Sequence, residues 1–116
     1  MQEVTKSKPI KLSELVEMAK KMYEPMVKAD VDLAKQVVLV DMPMHVDGEA
    51  RFIESGSKQQ DVWGINLHPA KFGTEDFVEF DSMINIRPGQ NNFSRYVEDE
   101  QVRQQILSLI SEVVHE

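Results

Sequence analysis

A histidine and two carboxylates at alternate positions form the first group in this chain that could do chemistry. His45, Asp47 and Glu49 are spaced by two residues, so an extended backbone would point all three side chains to one side. One imidazole and two carboxylates would suit a divalent metal such as Zn²⁺, Mn²⁺ or Fe²⁺. On a helical turn the three side chains would diverge, and Asp47 would cap the helix. The spacing therefore leaves two interpretations open, a metal site and helix capping.

A second candidate site surrounds the loop of residues 88–95. Arg87 and Arg95 bracket this loop, which carries Ser94 and several side-chain amides and leads into a predicted helix. Guanidinium groups, amides and free helix N–H groups are common means of binding an anion. We therefore expect the loop to line a pocket for a small polar, anionic ligand. The alternative is that the two arginines tie the loop to nearby acidic residues or to the turn after Gly56.

Two predicted strands, Asp61–His68 and Phe77–Arg87, must position this loop. Each alternates its side chains with a period of two, the pattern of a strand with one face on a core. Paired as antiparallel neighbours, the two strands would collect their polar side chains on one face beside the loop. The predicted ligand pocket therefore comprises Asn66, Asp81, Asn85, Arg87, Ser94 and Arg95. The alternative is a solvated face crossed by ion pairs, for instance between Asp81 and Arg87.

An acid–base pair is a further hypothesis for the polar face. Asp81 beside His68 or His45 could orient a histidine for proton transfer, because a carboxylate can fix the tautomer of the ring. No Ser-His-Asp arrangement, nucleophile elbow or Gly-rich phosphate loop accompanies such a pair. The sequence therefore identifies no reaction and no cofactor, and leaves open whether the protein is an enzyme.

The opposite face of the two strands is apolar and predicts a core. In the second strand this face consists of Val78, Phe80, Ile84 and Ile86. Trp63 lies on the apolar face of the first strand, where a tryptophan is usually a core residue. Gly64 has no side chain on the polar face, which leaves room for a ligand or for another backbone.

The remaining elements follow from apolar spacing and capping signals. Ser13 is the expected N-cap of a first helix, whose apolar stripe continues to Val27. The short apolar run Val37–Val40 is typical of a strand covered on both faces. Residues 48–55, followed by Gly56, favour a helical turn with a glycine C-cap over a strand.

A last amphipathic helix, with Asp99 as its N-cap, completes the predicted order. Strands bounded by helices predict an α+β fold. We expect an antiparallel sheet of three or four strands, with the N-terminal and C-terminal helices packed on one face.

Composition limits the class of protein. The 116 residues suit a single α+β domain spanning 1–116, and the formal net charge of −7 disfavours a large nucleic-acid interface. The chain has no cysteine, no apolar run of membrane-spanning length and a polar N-terminus. We therefore expect a cytoplasmic protein without disulfides or a membrane partner.

Residues 56–69 and 79–88 resemble a small prokaryotic protein family. The similar stretches read GSKQQDVWGINLHP and EFDSMINIRP, and the resemblance covers nearly the whole chain. It includes the stretches His45-x-Asp47-x-Glu49, Asn92-x-Ser94-Arg95 and Val97-Glu98-Asp99. The family is a domain of unknown function, so the resemblance implies no activity, cofactor or catalytic residue. Where its members commonly have an aromatic residue before the proline, this chain has His68.

Three hypotheses of function follow from these observations. The first is a small domain that binds a small anionic ligand on the polar sheet face and the 88–95 loop. The second is a non-catalytic protein-interaction module or a homodimer. The third is a divalent-metal site at His45, Asp47 and Glu49.

Overall fold

The computed structural model describes residues 1–116 and contains a five-stranded antiparallel sheet with three helices. In chain order the elements are β1 (Gln2–Val4), β2 (Ile10–Lys11), α1 (Leu12–Lys21), β3 (Val27–Asp32), β4 (Val37–Val40), α2 (His45–Glu54), β5 (Val62–Leu67), β6 (Val78–Glu79), α3 (Glu100–Val113) and β7 (Val114–His115). The strand order in the sheet is β1-β4-β3-β5-β6, and β2 pairs with β7 in a separate parallel ribbon. No helix here is both long and apolar enough to cross a membrane. The α+β class is therefore confirmed, with five strands where three or four were expected.

The central strand β3 begins at Val27, which the apolar pattern assigned to the end of the first helix, and continues through residues to which we assigned no element. Helix α1 ends at Lys21, and Tyr23 adopts a left-handed φ of 55° that turns the chain toward β3. Val27, which we predicted to be helical, begins the strand and pairs with Leu67. The helical prediction for Val27 was wrong, and the rest of the strand went unrecognised because β3 alternates apolar residues with Lys28 and two aspartates. It therefore lacks the continuous apolar run by which a central strand is usually recognised.

The larger core lies on one face of the sheet. Ala29 and Val31 of β3 meet Ile65 and Trp63 of β5 there, in the register that pairs each with its neighbour across the strands. Trp63 is thus a core residue, as predicted. The helical members of the same apolar cluster are Leu15, Ala19, Ile106, Leu109, Ile110 and Val113. Both terminal helices therefore bury their apolar stripes against this face.

Helix α2 lies on the opposite face, which differs from the predicted arrangement of helices on one side only. Phe52 of α2 packs with Leu39, Met42 and Val62 in a smaller apolar cluster. The helical interpretation of residues 48–55 is confirmed. Gly56 follows the helix with a φ of +94°, a conformation in which glycine is the preferred residue.

The predicted strand Phe77–Arg87 is wrong beyond Glu79. The chain pairs with β5 only at Val78–Glu79 and then forms a 3₁₀ turn at Met83–Asn85. Ser82 starts this turn, because its hydroxyl accepts a hydrogen bond from the Ile84 N–H. A turn of this kind competes with strand pairing and ends the alternation of side chains.

The apolar residues of that segment are consequently distributed over three environments. Val78 and Phe80 pack on the larger core. Ile84 packs on the smaller core beneath α2, on the other face of the sheet. Ile86 is 41% exposed. The shared apolar face that we predicted for these residues does not exist.

Candidate functional site

The loop predicted to bind an anion holds a carboxylate of its own chain. Glu98 Oε2 accepts hydrogen bonds from the backbone N–H groups of Phe93 (2.6 Å) and Ser94 (3.0 Å) and from the Ser94 hydroxyl (3.1 Å). These bonds lower the pKa of Glu98, and the Phe93 N–H makes the largest contribution. The donors that would meet a ligand in our hypothesis are therefore already paired with Glu98.

Arg95 forms a surface ion pair with Asp81. The two side chains are 52% and 43% exposed, so solvent screens their attraction. A pair of this kind contributes about 0–1 kcal/mol to stability. It joins the end of the loop to the segment that follows β6.

Arg87, the second arginine of the predicted pocket, is only 8% exposed. Its guanidinium donates to the backbone carbonyls of Ile84 (2.9 Å), Gln59 (2.6 Å) and Val62. Burial lowers its pKa, and the charge of Glu49, 3.8 Å away, opposes that effect. These contacts match the alternative interpretation, in which an arginine ties the loop to the turn after Gly56.

The two asparagines of the predicted pocket join strand β5 to the residues that run beside it. The Asn85 amide accepts from the Gly64 N–H (2.9 Å) and donates to the Gly64 carbonyl (2.9 Å), and so replaces a missing strand partner. The Asn66 amide donates to the Glu79 carboxylate (2.9 Å) and to the Asp81 carbonyl (3.1 Å). The structure thus brings these residues together, but it uses their polar groups to fasten the chain along β5.

Gly64 faces a filled space rather than a ligand. A Cβ built on Gly64 would lie 2.6 Å from both Cβ and Oγ of Ser82. The absent side chain therefore makes room for the Ser82 side chain, which is neither the ligand nor the backbone that we had considered.

His45, Asp47 and Glu49 lie on the first turns of helix α2, so the extended backbone that a shared metal site required is absent. His45 Nε2 is 2.9 Å from the Ile65 carbonyl, and the Asp47 carboxylate accepts from the Met44 N–H (3.1 Å). The N-cap is thus Met44 and not Asp47 as predicted; Asp47 is the third residue of the helix, and its carboxylate bonds back to the N-cap. No group of three or more histidine, aspartate or glutamate side chains in the structure is placed to hold a metal ion.

The sequence reasoning missed a buried carboxyl group, that of Asp30 on β3. Its side chain is fully buried beneath α2, and neither oxygen has a hydrogen-bond partner. Burial, followed by the nearby charge of Glu49, raises the pKa of Asp30 to about 9, so the group is protonated at neutral pH. The available signal was the alternation of Asp30 and Asp32 with Ala29 and Val31, in a segment to which we had assigned no element.

One edge of the sheet carries unpaired backbone groups. His68 N–H donates to the Phe77 carbonyl (2.8 Å), which makes Leu67 and Val78 a pair without mutual hydrogen bonds. The N–H and C=O of Val78 therefore point away from β5. The next outward-pointing residue is Phe80, whose backbone groups have no hydrogen-bond partner in the chain. At Ser82 the edge is covered, because its N–H donates to the Arg95 carbonyl (3.1 Å).

An apolar groove of about 500 Å³ lies beside this edge. Its floor and walls come from the 72–80 segment on one side and from α3 and β7 on the other. The apolar side chains that line it are Phe72, Phe77, Val78, Phe80, Leu107, Ile110 and Val114. Phe72 and Phe77 meet edge to face with ring centroids 5.1 Å apart, which supports the wall of the groove.

A second groove, of about 410 Å³, lies at the same edge and is mostly polar. Val78 and Phe80 contribute to both grooves. The polar and aromatic side chains of the second groove are His68, Lys71, Asp76, Glu79, Asp81 and Tyr96. We call the unpaired backbone at Val78 and Phe80, together with these two grooves, the β6 edge site.

Fold and site define the class of protein: an α+β domain whose antiparallel sheet carries helices on both faces and an unpaired edge at β6. Residues 4–113 match the model of the family described as Protein of unknown function (DUF5674), and the chain belongs to that family. The comparisons with curated proteins and with solved structures give no match. The resemblance to a domain of unknown function is thereby confirmed.

Proposed function

We propose that this protein is a peptide-interaction module that binds an extended segment of another protein by strand addition at the β6 edge site. The observation that carries the proposal is the unpaired backbone of Val78 and Phe80 directly beside the 500 Å³ apolar groove. In strand addition, main-chain hydrogen bonds supply affinity, while a groove that takes alternate side chains supplies specificity.

The dimensions of the site support a short peptide as the occupant. Two outward-pointing residues offer four backbone groups, and the chain covers the edge again at Ser82. An added strand would therefore pair over about three to five residues, since partners alternate along a strand. Apolar side chains of that strand would enter the groove between Phe77 and Leu107.

The small anionic ligand receives less support from the geometry. Arg87 is saturated by backbone carbonyls, Arg95 pairs with Asp81, and the loop donors pair with Glu98. A ligand would have to displace these internal partners before it could bind. The divalent-metal hypothesis loses its geometric basis on helix α2.

A second copy of this chain is a weaker candidate for the occupant. Pairing of two β6 edges would bring together the exposed carboxylates of Asp76 and Glu79 from both copies. Like charges facing each other across strands are destabilising. The edge therefore suits a foreign segment better than its own duplicate.

Selection from a random heptapeptide library displayed on phage tests the proposal. We expect enriched peptides to alternate apolar residues and to shift the backbone amide resonances of Val78 and Phe80. Ser111→Trp, which fills the groove from α3, should abolish binding. Ser108→Trp is the matched control, because Ser108 is an exposed residue of the same helix outside the groove.

Two outcomes would overturn the proposal. The first is that no selected peptide distinguishes the two variants, that is, none loses binding to Ser111→Trp while it still binds Ser108→Trp. The other is a dimer in sedimentation equilibrium that Ser111→Trp dissociates, since a second copy would then occupy the site.

A further inference from the structure

The two grooves at the β6 edge differ in charge, and this difference has a consequence for the bound segment. Side chains of a strand alternate between the two faces of a sheet. Along β6, the Val78 side chain packs on the larger core, whereas Glu79 lies on the opposite face. A strand added beside β6 would therefore send every second side chain toward the polar groove.

Carboxylates outnumber cations in that groove. Asp76, Glu79 and Asp81 face Lys71, which gives a net charge of −2 for the lining residues with His68 neutral. Asp81 is already paired with Arg95.

The other two carboxylates keep capacity for a new partner. Asp76 is exposed and has no ion pair, and no side chain donates to its carboxylate. Glu79 is 45% exposed at its side chain and uses only Oε1, toward Asn66 and His68. Glu79 Oε2 is therefore free to accept a hydrogen bond from a ligand.

Building on the proposed function, we propose that the bound segment carries lysine or arginine at the positions that alternate with its apolar residues. Its apolar side chains enter the groove beside α3, and its cationic side chains meet Asp76 and Glu79. Both carboxylates line the same groove, so a cationic side chain that enters it meets a surface with two acceptors. The formal net charge of −7 of the whole chain adds long-range attraction for such a segment.

Three capped heptapeptides that alternate valine with lysine, with serine or with glutamate separate this inference from the proposed function. We expect the lysine peptide to bind most tightly, the serine peptide less tightly and the glutamate peptide least. Addition of 0.5 M salt should compress these differences, since screening acts on exposed charges. Isothermal titration calorimetry measures the three affinities, and amide shifts at Val78 and Phe80 locate the binding.

Charge variants provide the matched control. The double variant Asp76→Asn/Glu79→Gln should weaken binding of the lysine peptide about 4- to 25-fold at low salt, if the loss of each exposed charge pair weakens it about 2- to 5-fold. It should leave the serine peptide unchanged. Glu24→Gln/Glu54→Gln removes the same total charge from exposed residues elsewhere and should leave all three affinities unchanged.

The outcomes are distinguishable. Equal binding of the three peptides at the β6 edge would overturn the cationic preference and leave strand addition intact. An equal loss of lysine-peptide affinity in both double variants would show that net charge alone acts, which also overturns it. Failure of all three peptides to shift Val78 and Phe80, together with an unproductive library selection, would remove the proposed function itself.

Discussion

The carboxyl group of Asp30 lies directly against Gly48 of helix α2. A Cβ built on Gly48 would be 2.3 Å from Asp30 Oδ2 and 2.8 Å from the Met42 sulfur. No real side chain tolerates the first of these distances, so the helix can approach the sheet this closely only because residue 48 is glycine.

We expect Gly48→Ala to destabilise the protein by about 1–3 kcal/mol, the usual cost of overpacking a core. A loss of stability would be informative, because replacing glycine by alanine in a helix interior otherwise raises the free energy of unfolding by up to about 1 kcal/mol. Urea denaturation measures the difference. Gly89→Ala is the control, since no atom lies within 4 Å of its added Cβ, and it should change stability by less than about 0.5 kcal/mol. A stabilising Gly48→Ala would contradict the packing of α2 on Asp30.

Asp30 should make stability fall as pH rises. Its pKa is about 9 in the folded protein and 3.8 in a solvated chain, so the folded state binds the extra proton between these values. The free energy of unfolding then decreases with pH across this window, by at most about 1.4 kcal/mol per pH unit. Asp30→Asn keeps the shape of the protonated carboxyl and removes the titration. We expect urea denaturation to show that the free energy of unfolding of the variant rises relative to that of the wild type from pH 5 to pH 8. Parallel pH profiles for the two proteins would show that Asp30 does not titrate as its burial requires.

Arg87→Met should cost about 3–5 kcal/mol, because it leaves buried backbone carbonyls and Glu49 without their cationic partner. Arg95→Met should cost less than about 1 kcal/mol, since its ion pair with Asp81 is exposed. Thermal unfolding of the two variants gives the comparison. The same assay with added phosphate addresses the anion pocket: we expect no stabilisation of the wild type. A melting temperature that rises with phosphate in the wild type but not in Arg95→Met would revive that pocket.

Asn85→Leu should destabilise the protein by about 2–4 kcal/mol, because both backbone groups of Gly64 lose their partners in a buried position. Asn91→Gly is a useful comparison: Asn91 is exposed and has a left-handed φ of 59°, which glycine accepts without strain. Its substitution should be close to neutral. Hydrogen exchange adds a local readout, since the Gly64 amide should lose protection in Asn85→Leu. Retained protection there would mean that water or another group replaces the asparagine.

Local sequence patterns were sufficient to predict the elements whose conformation depends on neighbouring residues. Helix α3 begins directly after Asp99, the N-cap that the sequence predicts, and the Asp99 side chain accepts a hydrogen bond from the Gln101 N–H. Strand β4 is an interior strand, in agreement with its continuous apolar run. Gly56 ends α2 as expected. In each case a few neighbouring residues determine the conformation by themselves.

The incorrect predictions fall where contacts between residues far apart in the sequence determine the conformation. Strand β3 is polar at every second position: Asp30 lies against α2, and Asp32 accepts from the hydroxyl of Ser57, 25 residues away. The segment after Glu79 alternates like a strand, yet the Ser82 turn and the Asn85 amide take over from backbone pairing. Glu98 accepts from the donors of the loop, whereas we had considered it only as a partner of the two arginines. None of these relationships is visible from local spacing, because each joins residues that are set side by side only by the completed fold.

The parallel ribbon of β2 and β7 pairs Ile10 with Val114 and Lys11 with His115. Because the ribbon joins the residues directly before α1 to those directly after α3, neither segment can detach without disturbing the other. Removal of the last three residues should therefore loosen residues near position 10 as well, and unfolding should proceed as one cooperative event rather than by fraying from a tail.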